Sequence, residues 1–570
     1  MATTGILRSR RSAAQLHAIA SVEREIRAID PAPGRKYLRD FREAYHSYQK
    51  VLAPSDVRDE IAKAGVALVG DYHALPNSQR YLASLLRDPG FHHRPAVLGV
   101  ETIFSRDQHI LDEWSRGEID EAELRQRIRF ELDWGYDWAP FYELLIAARD
   151  SGAPIYGLDC MPREDLRKIG ARDRHAADKI AEIRRRHSGA LILILFGESH
   201  LAPQHLPALL QQRLPAERVL TVLQNVDALY WRAAGEARDH VEAVEVGENV
   251  FCVFNSTPLE KYENYRLCLD RWGRSDNDHS APDLGPTLYN LIEGMVRFLG
   301  INQYSPNNTT QPKLLVDLMP EVYSRSSDAL LRRLLSRKGF TAEDRRSLLR
   351  QVRQRGSVYL TPINAVYVRQ FRMTSSAEDA TRFLHQACRG LPNLSNGKAA
   401  TQDAPLDRDD VFYAGVFEHA LAFFGSRVLH PARPALRDPD IAELFDVTRE
   451  DLEHQTSLSF ADAVDALDFL IEHRAHDGRD NRRSRRASES VAQAPAFTGR
   501  KYEYVVEQLG YLTGTDLYDA YIEGRLTTAA LRKLFLTHIE QPGVAREAYV
   551  QLRTRLRSEK RAQISSRPRG

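Results

Sequence analysis

The sequence predicts an α/β fold, a mostly parallel sheet flanked by helices and followed by a mainly α-helical C-terminal half. Three observations carry this. Between about residues 60 and 258, short aliphatic runs alternate with longer amphipathic segments, the pattern of βα units around a parallel sheet. The runs are continuously apolar, not strictly alternating, as strands covered on both faces require. Beyond about residue 270 the text turns into polar linkers and amphipathic helices.

The predicted strands are "GVALVGDYH" (65–73), "AVLGVET" (96–102), "PIYGLD" (154–159), "ALILILFGESH" (190–200), "RVLTVLQNV" (218–226) and "NVFCVFNSTP" (249–258). Helices are expected between them in "NSQRYLASLLRD", "SRDQHILDEWSRG", "DEAELRQRIRFELDW" and "PREDLRKIGARDRHAADKIAEIRRRH". Ser105 is expected to cap the second, and Pro162 with its acidic neighbours to open the fourth. The domain boundaries that follow are a helical extension over 1–50, the α/β domain over 51–268, helical regions over 269–395 and 396–477, a basic linker over 478–499, and a helical segment with a basic tail over 500–570. "FEHALAFF" reads as helix core.

With 79 Lys and Arg against 78 Asp and Glu, no global field steers the 570-residue chain toward nucleic acid or an anionic surface. "RRSRR" lacks the flanking aromatics that would stack bases, so no nucleic-acid partner is expected. Four dispersed cysteines, Cys160, Cys252, Cys268 and Cys388, fit buried thiols in a reduced compartment, and a cytoplasmic location is expected, with no secretory leader and no membrane span.

The strand endings carry the chemistry. Asp71 and His73, Glu101, Asp159, Glu198 and His200, Gln224 and Asn225, and Asn255 each close a predicted strand. In a parallel sheet those carboxyl ends open on one side, where ligands bind. "GDYH" and "GESH" repeat one pattern, Gly-x-x-His directly after an aliphatic strand. His73, Glu101, Glu198 and His200 are the candidates for a divalent transition metal, or for a general base with carboxylate orienters. Spacing leaves both open. Trp134 and Trp138 in "DWGYDW" serve either as core anchors or as pocket walls, and His92, His93, His175 and His187 read as surface residues.

The order of GxxH, a strand ending in Glu, a Trp-rich helical segment and a second GxxH resembles the Tiki, TraB, erythromycin-esterase and ChaN superfamily. The text "VETIFSRDQHILDEWSRGEI…FELDWGYDWAPFYELLIAARDSGAPIYGLDCMP" is most similar to its ChaN-like haem-binding uptake proteins, over roughly 51–260. The resemblance implies a shared site at His73, Glu101 and His200. Within the superfamily it implies three activities: haem and iron uptake through a tyrosine ligand, metal-dependent proteolysis, and hydrolysis by a histidine base with glutamates. The cofactor it implies is haem or a divalent metal, with His73, Tyr72, Tyr136, Glu101 and His200 as cofactor-binding candidates and Tyr142 and Tyr156 also near the edge. The chain departs from the pattern in carrying Asp71 where many relatives have glutamate, in "HALPNSQRY", and in lacking a lipoprotein signal. A haem-binding protein, a hydrolase and a non-catalytic binding module therefore stand side by side, with self-association through the helical half left open.

Overall fold

The structure is a computed structural model that describes residues 2–30, 36–91, 94–160, 169–235, 241–273, 282–301, 318–324, 327–389, 407–478 and 493–565. His92, His93, Pro162 and the "RRSRR" linker lie outside them. The chain forms two compact units, Ser21–Asp278 and a second made of Met1–Ala20 with His279–Gly570.

The first unit is built on an eight-stranded sheet. Its strands are β1 (Lys50–Leu52), β2 (Val66–Asp71), β3 (Ala96–Phe104), β4 (Ile155–Asp159), β5 (Leu191–Gly197), β6 (Val219–Gln224), β7 (Ala243–Gly247) and β8 (Val250–Val253), in the order β1-β7-β8-β6-β2-β5-β3-β4. The six strands expected from the aliphatic runs are all mutually parallel. The sequence reading missed β1 and β7, which pair antiparallel at one edge. β1 is three residues long and β7 is partly exposed, so neither carries a long apolar run.

Continuity of the apolar text has a direct cause. Ala67 and Val69 of β2 join Leu193 and Leu195 of β5 in one core, while Val66 and Leu68 join Ile192, Ile194 and Phe196 in the core on the opposite face. Each strand thus buries both sets of alternating side chains, at about 1.5–3 kcal/mol for each fully buried Val, Leu, Ile or Phe. Pro76–Arg87 and Trp138–Asp150 cover the first face, and Ile169–Arg186 and Leu206–Arg213 cover the second. Asp137 caps Trp138–Asp150 by accepting from the Ala139 N–H. Ser105 does not act as the expected cap. It opens a short 3-10 turn, and its hydroxyl donates to the Asp159 carbonyl and meets His175 Nε2 at 2.7 Å. His175 is accordingly half-buried, not a free surface group.

In the second unit, Arg408–Leu429 and Gly499–Ile522 form the central helix pair, with Phe417 and Phe424 buried as expected of "FEHALAFF". The unit also contains a small sheet, β9 (Glu321–Ser324), β10 (Ser357–Leu360) and β11 (Ala365–Val368), that the sequence reading did not anticipate. Gly514 permits the close helix approach, since a Cβ there would stand 2.7 Å from the Ala420 carbonyl oxygen and 2.9 Å from Phe423 Cβ. Gly514→Ala should therefore cost about 1–3 kcal/mol through overpacking, measured by urea denaturation. Among the described residues no helix is long and apolar enough to cross a membrane. None of the four cysteines is in a disulfide, and Cys252, Cys268 and Cys388 are buried.

Candidate functional site

The crossovers of the sheet bring the two GxxH motifs together. β5 returns to lie between β2 and β3, so the ends of β2, β5 and β3 are neighbours although His73 and His200 are far apart in the chain. Asp71 is the register partner of Gly197. Beyond Val100, β3 has no further partner on β5, and the Gly197 N–H donates to Glu101 Oε2 at 2.5 Å.

Each imidazole is held by an aspartate. His73 Nδ1 meets Asp71 Oδ2 at 2.7 Å, and Asp71 also accepts from the Gln79 side-chain amide. His200 Nδ1 meets Asp173 Oδ1, and the other oxygen of Asp173 accepts from Tyr37 Oη at 2.9 Å. A neutral imidazole that donates its Nδ1–H to such a carboxylate keeps its lone pair on Nε2. Both Nε2 atoms face the same carboxylate: His73 at 3.8 Å from Glu101 Oε2 and His200 at 3.9 Å from Glu101 Oε1. The point of convergence lies over Gly197. A Cβ there would stand 3.0 Å from Glu101 Oε2 and 3.4 Å from both His73 Nε2 and His200 Cδ2, so only glycine leaves the space open.

Glu101 is kept ionised in this buried place. Burial alone would raise its pKa, but Arg172, His200 and His73 outweigh it and hold the carboxyl below the usual carboxylate range. Arg172 Nη2 donates to Glu101 Oε1 at 2.6 Å, and its Nε and Nη2 donate to the two oxygens of Asp159 at 2.9 and 3.0 Å. Asp71 is different, because burial raises its pKa despite the neighbouring His73.

Of the four residues expected to share the site, His73, Glu101 and His200 converge. The Glu198 side chain instead binds Lys261, whose Nζ lies 3.1 and 3.3 Å from its two oxygens. Burial, partly offset by Lys261, raises the Glu198 pKa. Among the described residues no group of three or more His, Cys, Asp or Glu side chains is arranged to hold a metal ion. The donor types suit a transition metal, but Glu101 is already engaged by Arg172 and the Gly197 N–H.

Aromatic rings pack around His73. His73 packs against Trp134 at 4.8 Å and Tyr136 at 5.3 Å between ring centroids, and Tyr136 meets Trp272 at 5.1 Å. Tyr72 lies under the Lys261 ammonium at 4.5 Å and contacts Tyr265. Burial raises the phenol pKa of both Tyr72 and Tyr136. Trp138 and Tyr142 stack on one another, with Trp138 buried in the core, and Tyr156 bonds His187. The two tryptophans of "DWGYDW" thus divide the roles, Trp134 at the site and Trp138 in the core. Gln224, Asn225 and Asn255 bond mainly one another and adjacent main chain.

Arg172, Asp173, Gln79, Lys261 and Tyr37 were not foreseen. The available signal was weak: a lone Arg-Asp pair in a polar helix directly after the strand ending in Asp159.

Residues 57–190 match the family described as haem-binding uptake, Tiki superfamily, ChaN. The resemblance read from the first GxxH and the Trp-rich segment is borne out over that span, under a quarter of the chain. The ChaN-like segment contains His73, Glu101, Trp134, Tyr136 and Arg172; Gly197 and His200 lie just beyond it. A solved structure titled "Cofacial heme binding to ChaN of Campylobacter jejuni" is 16% identical, covering 31% of this chain and 88% of that one, with a TM-score of 0.26. Likeness at that level carries no argument about this site. No curated protein matches the chain.

Proposed function

We propose that the sheet unit binds haem at the carboxyl edge of its sheet, against the aromatic wall, with Tyr136 as the axial ligand. The observation that carries this reading is the cluster of Tyr136 with Trp134, Trp272 and the aspartate-held His73, of which Tyr136, Trp134 and His73 lie inside the ChaN-like segment. Haem requires an axial donor and an apolar slot, and the wall offers a phenol among indole rings. The coordinating nitrogen of His73 is turned inward to Glu101, which favours Tyr136 over His73 for the iron. Bound haem would supply a redox-active iron.

Titration of the full chain with haemin is expected to give a Soret shift that saturates. Tyr136→Phe should weaken it by about tenfold or more, a loss of about 1.4 kcal/mol, while His73→Ala retains the shift. No saturable shift, or an unchanged one in Tyr136→Phe, overturns the assignment.

A second reading rests on a separate observation, the two Asp-His pairs facing one ionised glutamate. His200 Nε2 or His73 Nε2 would take a proton from water attacking an ester or amide carbonyl, with Glu101 stabilising the imidazolium that forms. Hydrolysis of p-nitrophenyl esters should then fall by about 10²–10⁴ in the variant lacking the base. Equal rates in wild type, His73→Ala and His200→Ala would exclude it.

A further inference from the structure

Charge is balanced over the whole chain but not within one segment of the second unit. Between Asp328 and Arg355 the sequence carries nine arginines and lysines against three acids, in a chain whose totals are 79 and 78. The segment folds as two helices, Asp328–Arg337 and Ala342–Arg355, joined by the four residues Lys338, Gly339, Phe340 and Thr341. Gly339 takes φ +79°, the left-handed conformation that ends the first helix. Thr341 starts the second through a capping box, its hydroxyl accepting from the Asp344 N–H at 3.1 Å.

β10 and β11 follow as an antiparallel hairpin, and β9 lies beside β11. Leu331 and Leu335 of the first helix, Leu349 and Val352 of the second, and Val358 and Tyr367 of the hairpin share one hydrophobic cluster, with Phe340 of the turn packed against it. Two helices joined by a short glycine-containing turn over a common core make a helix-turn-helix, the motif that presents its second helix to the major groove of DNA.

That core decides which side chains face outward. With Leu349 and Val352 turned inward, Arg346, Arg350 and Arg353 fall at i, i+4 and i+7 along another face of the second helix. Arg332, Arg333 and Arg337 of the first helix are exposed, as is Lys338 in the turn. Among the described residues no acid pairs with Arg333, Arg337, Lys338 or Arg346.

The acids of the segment are otherwise engaged. Asp328 lies 2.6 Å from Arg353 and 3.7 Å from Arg369 at the end of β11. The Arg353 hydrogen bond, with Arg369 and Arg332 behind it, holds the Asp328 carboxyl below the usual carboxylate range. One carboxylate thus gathers guanidinium groups from both helices and the hairpin end onto one surface. Asp344 is held in the capping box, and Arg350 reaches Glu503 at 3.4 Å. Glu343 stays exposed in the first turn of the second helix, where the helix dipole favours it. A carboxylate so placed accepts from a cytosine amino group. The expectation of no nucleic-acid partner rests on the whole-chain balance and on "RRSRR", neither of which samples this segment.

We propose that this helix-turn-helix binds duplex DNA, with the N-terminal half of Ala342–Arg355 and its Arg346 in the major groove and Arg333, Arg337 and Lys338 on backbone phosphates. The inference does not rest on the haem or hydrolase reading.

Fluorescence anisotropy of the full chain with a labelled DNA duplex of about two helical turns tests this. Binding should saturate and should weaken as salt is raised from about 50 to about 200 mM. The quadruple variant Arg333→Gln/Arg337→Gln/Lys338→Gln/Arg346→Gln should bind about tenfold or more weakly, with a log–log salt slope shallower by about three. The control Lys63→Gln/Arg87→Gln/Arg116→Gln/Arg186→Gln removes the same charge from exposed positions on the sheet unit and should bind as wild type. Melting curves of both should match the wild type, and Arg346→Gln alone carries the test in smaller measure. Duplex RNA of the same sequence, whose deep and narrow major groove side chains cannot read, should bind more weakly than DNA. The proposal is wrong if DNA gives no saturable change, if the two quadruple variants bind alike, or if duplex RNA binds as well as DNA.

Discussion

Arg172→Ala is expected to destabilise the sheet unit by about 3–5 kcal/mol near neutral pH, seen as a lower urea midpoint with an unchanged slope. Arg172 is 12% exposed, whereas Glu101 and Asp159 are 3% and 0% exposed. Removing the guanidinium takes the Arg172 ion pair from two buried carboxylates, and desolvation then has less to oppose it. In the wild type the folded Glu101 carboxyl lies below its unfolded value, so its contribution is present above the ordinary carboxylate range. That contribution is lost as pH falls through the folded value. The variant reverses the order of the two states. Its Glu101 rises, takes up a proton more readily in the fold, and the deficit against wild type should shrink between about pH 8 and about pH 5. Adding Glu101→Gln should recover part of the loss. A deficit independent of pH, unmoved by Glu101→Gln, would mean that Arg172 acts through packing alone.

The same arginine marks the boundary of what the sequence makes legible. Strand positions could be read because each central strand buries both faces, which writes an uninterrupted aliphatic run, and because the break from "LILILF" into "GESH" is abrupt. That His73 and His200 belong to one site followed from the repeated Gly-x-x-His and the resemblance that it carried. What no local pattern encodes is the order of strands. Only the insertion of β5 between β2 and β3 sets Gly197 against Glu101. Arg172 and Asp173 were hidden for a related reason: they stand in a helix rich in charged residues, and their neighbours are decided by how that helix packs on the sheet. The strands β9 to β11 escaped notice because each is four residues long, too short to show a period.

Glu198 tests the converse case, a strand-end carboxylate that the fold ties to a single cation. Lys261 is 6% exposed, and the attraction of Glu198 and Asp227 outweighs its burial, keeping it charged. Lys261→Met should cost about 3–5 kcal/mol where Glu198 stays ionised. It also removes the ammonium from the Tyr72 face. Burial already raises the Glu198 pKa, and loss of the lysine raises it further, so the folded variant binds a proton that the unfolded chain does not. Stability of the variant is therefore best at low pH and falls as pH rises through the folded value. Urea titrations at about pH 6 and about pH 9 should show the larger deficit at the higher pH. The double variant Lys261→Met/Glu198→Gln removes both charges, and a well-packed neutral pair in place of a buried ion pair is often neutral or stabilising, so it should approach or exceed wild-type stability. It also separates structure from chemistry. If the double variant folds as predicted and retains haem binding or ester hydrolysis, Glu198 is no part of the reacting site; loss of function in a fully stable double variant would return Glu198 to the company of His73, Glu101 and His200.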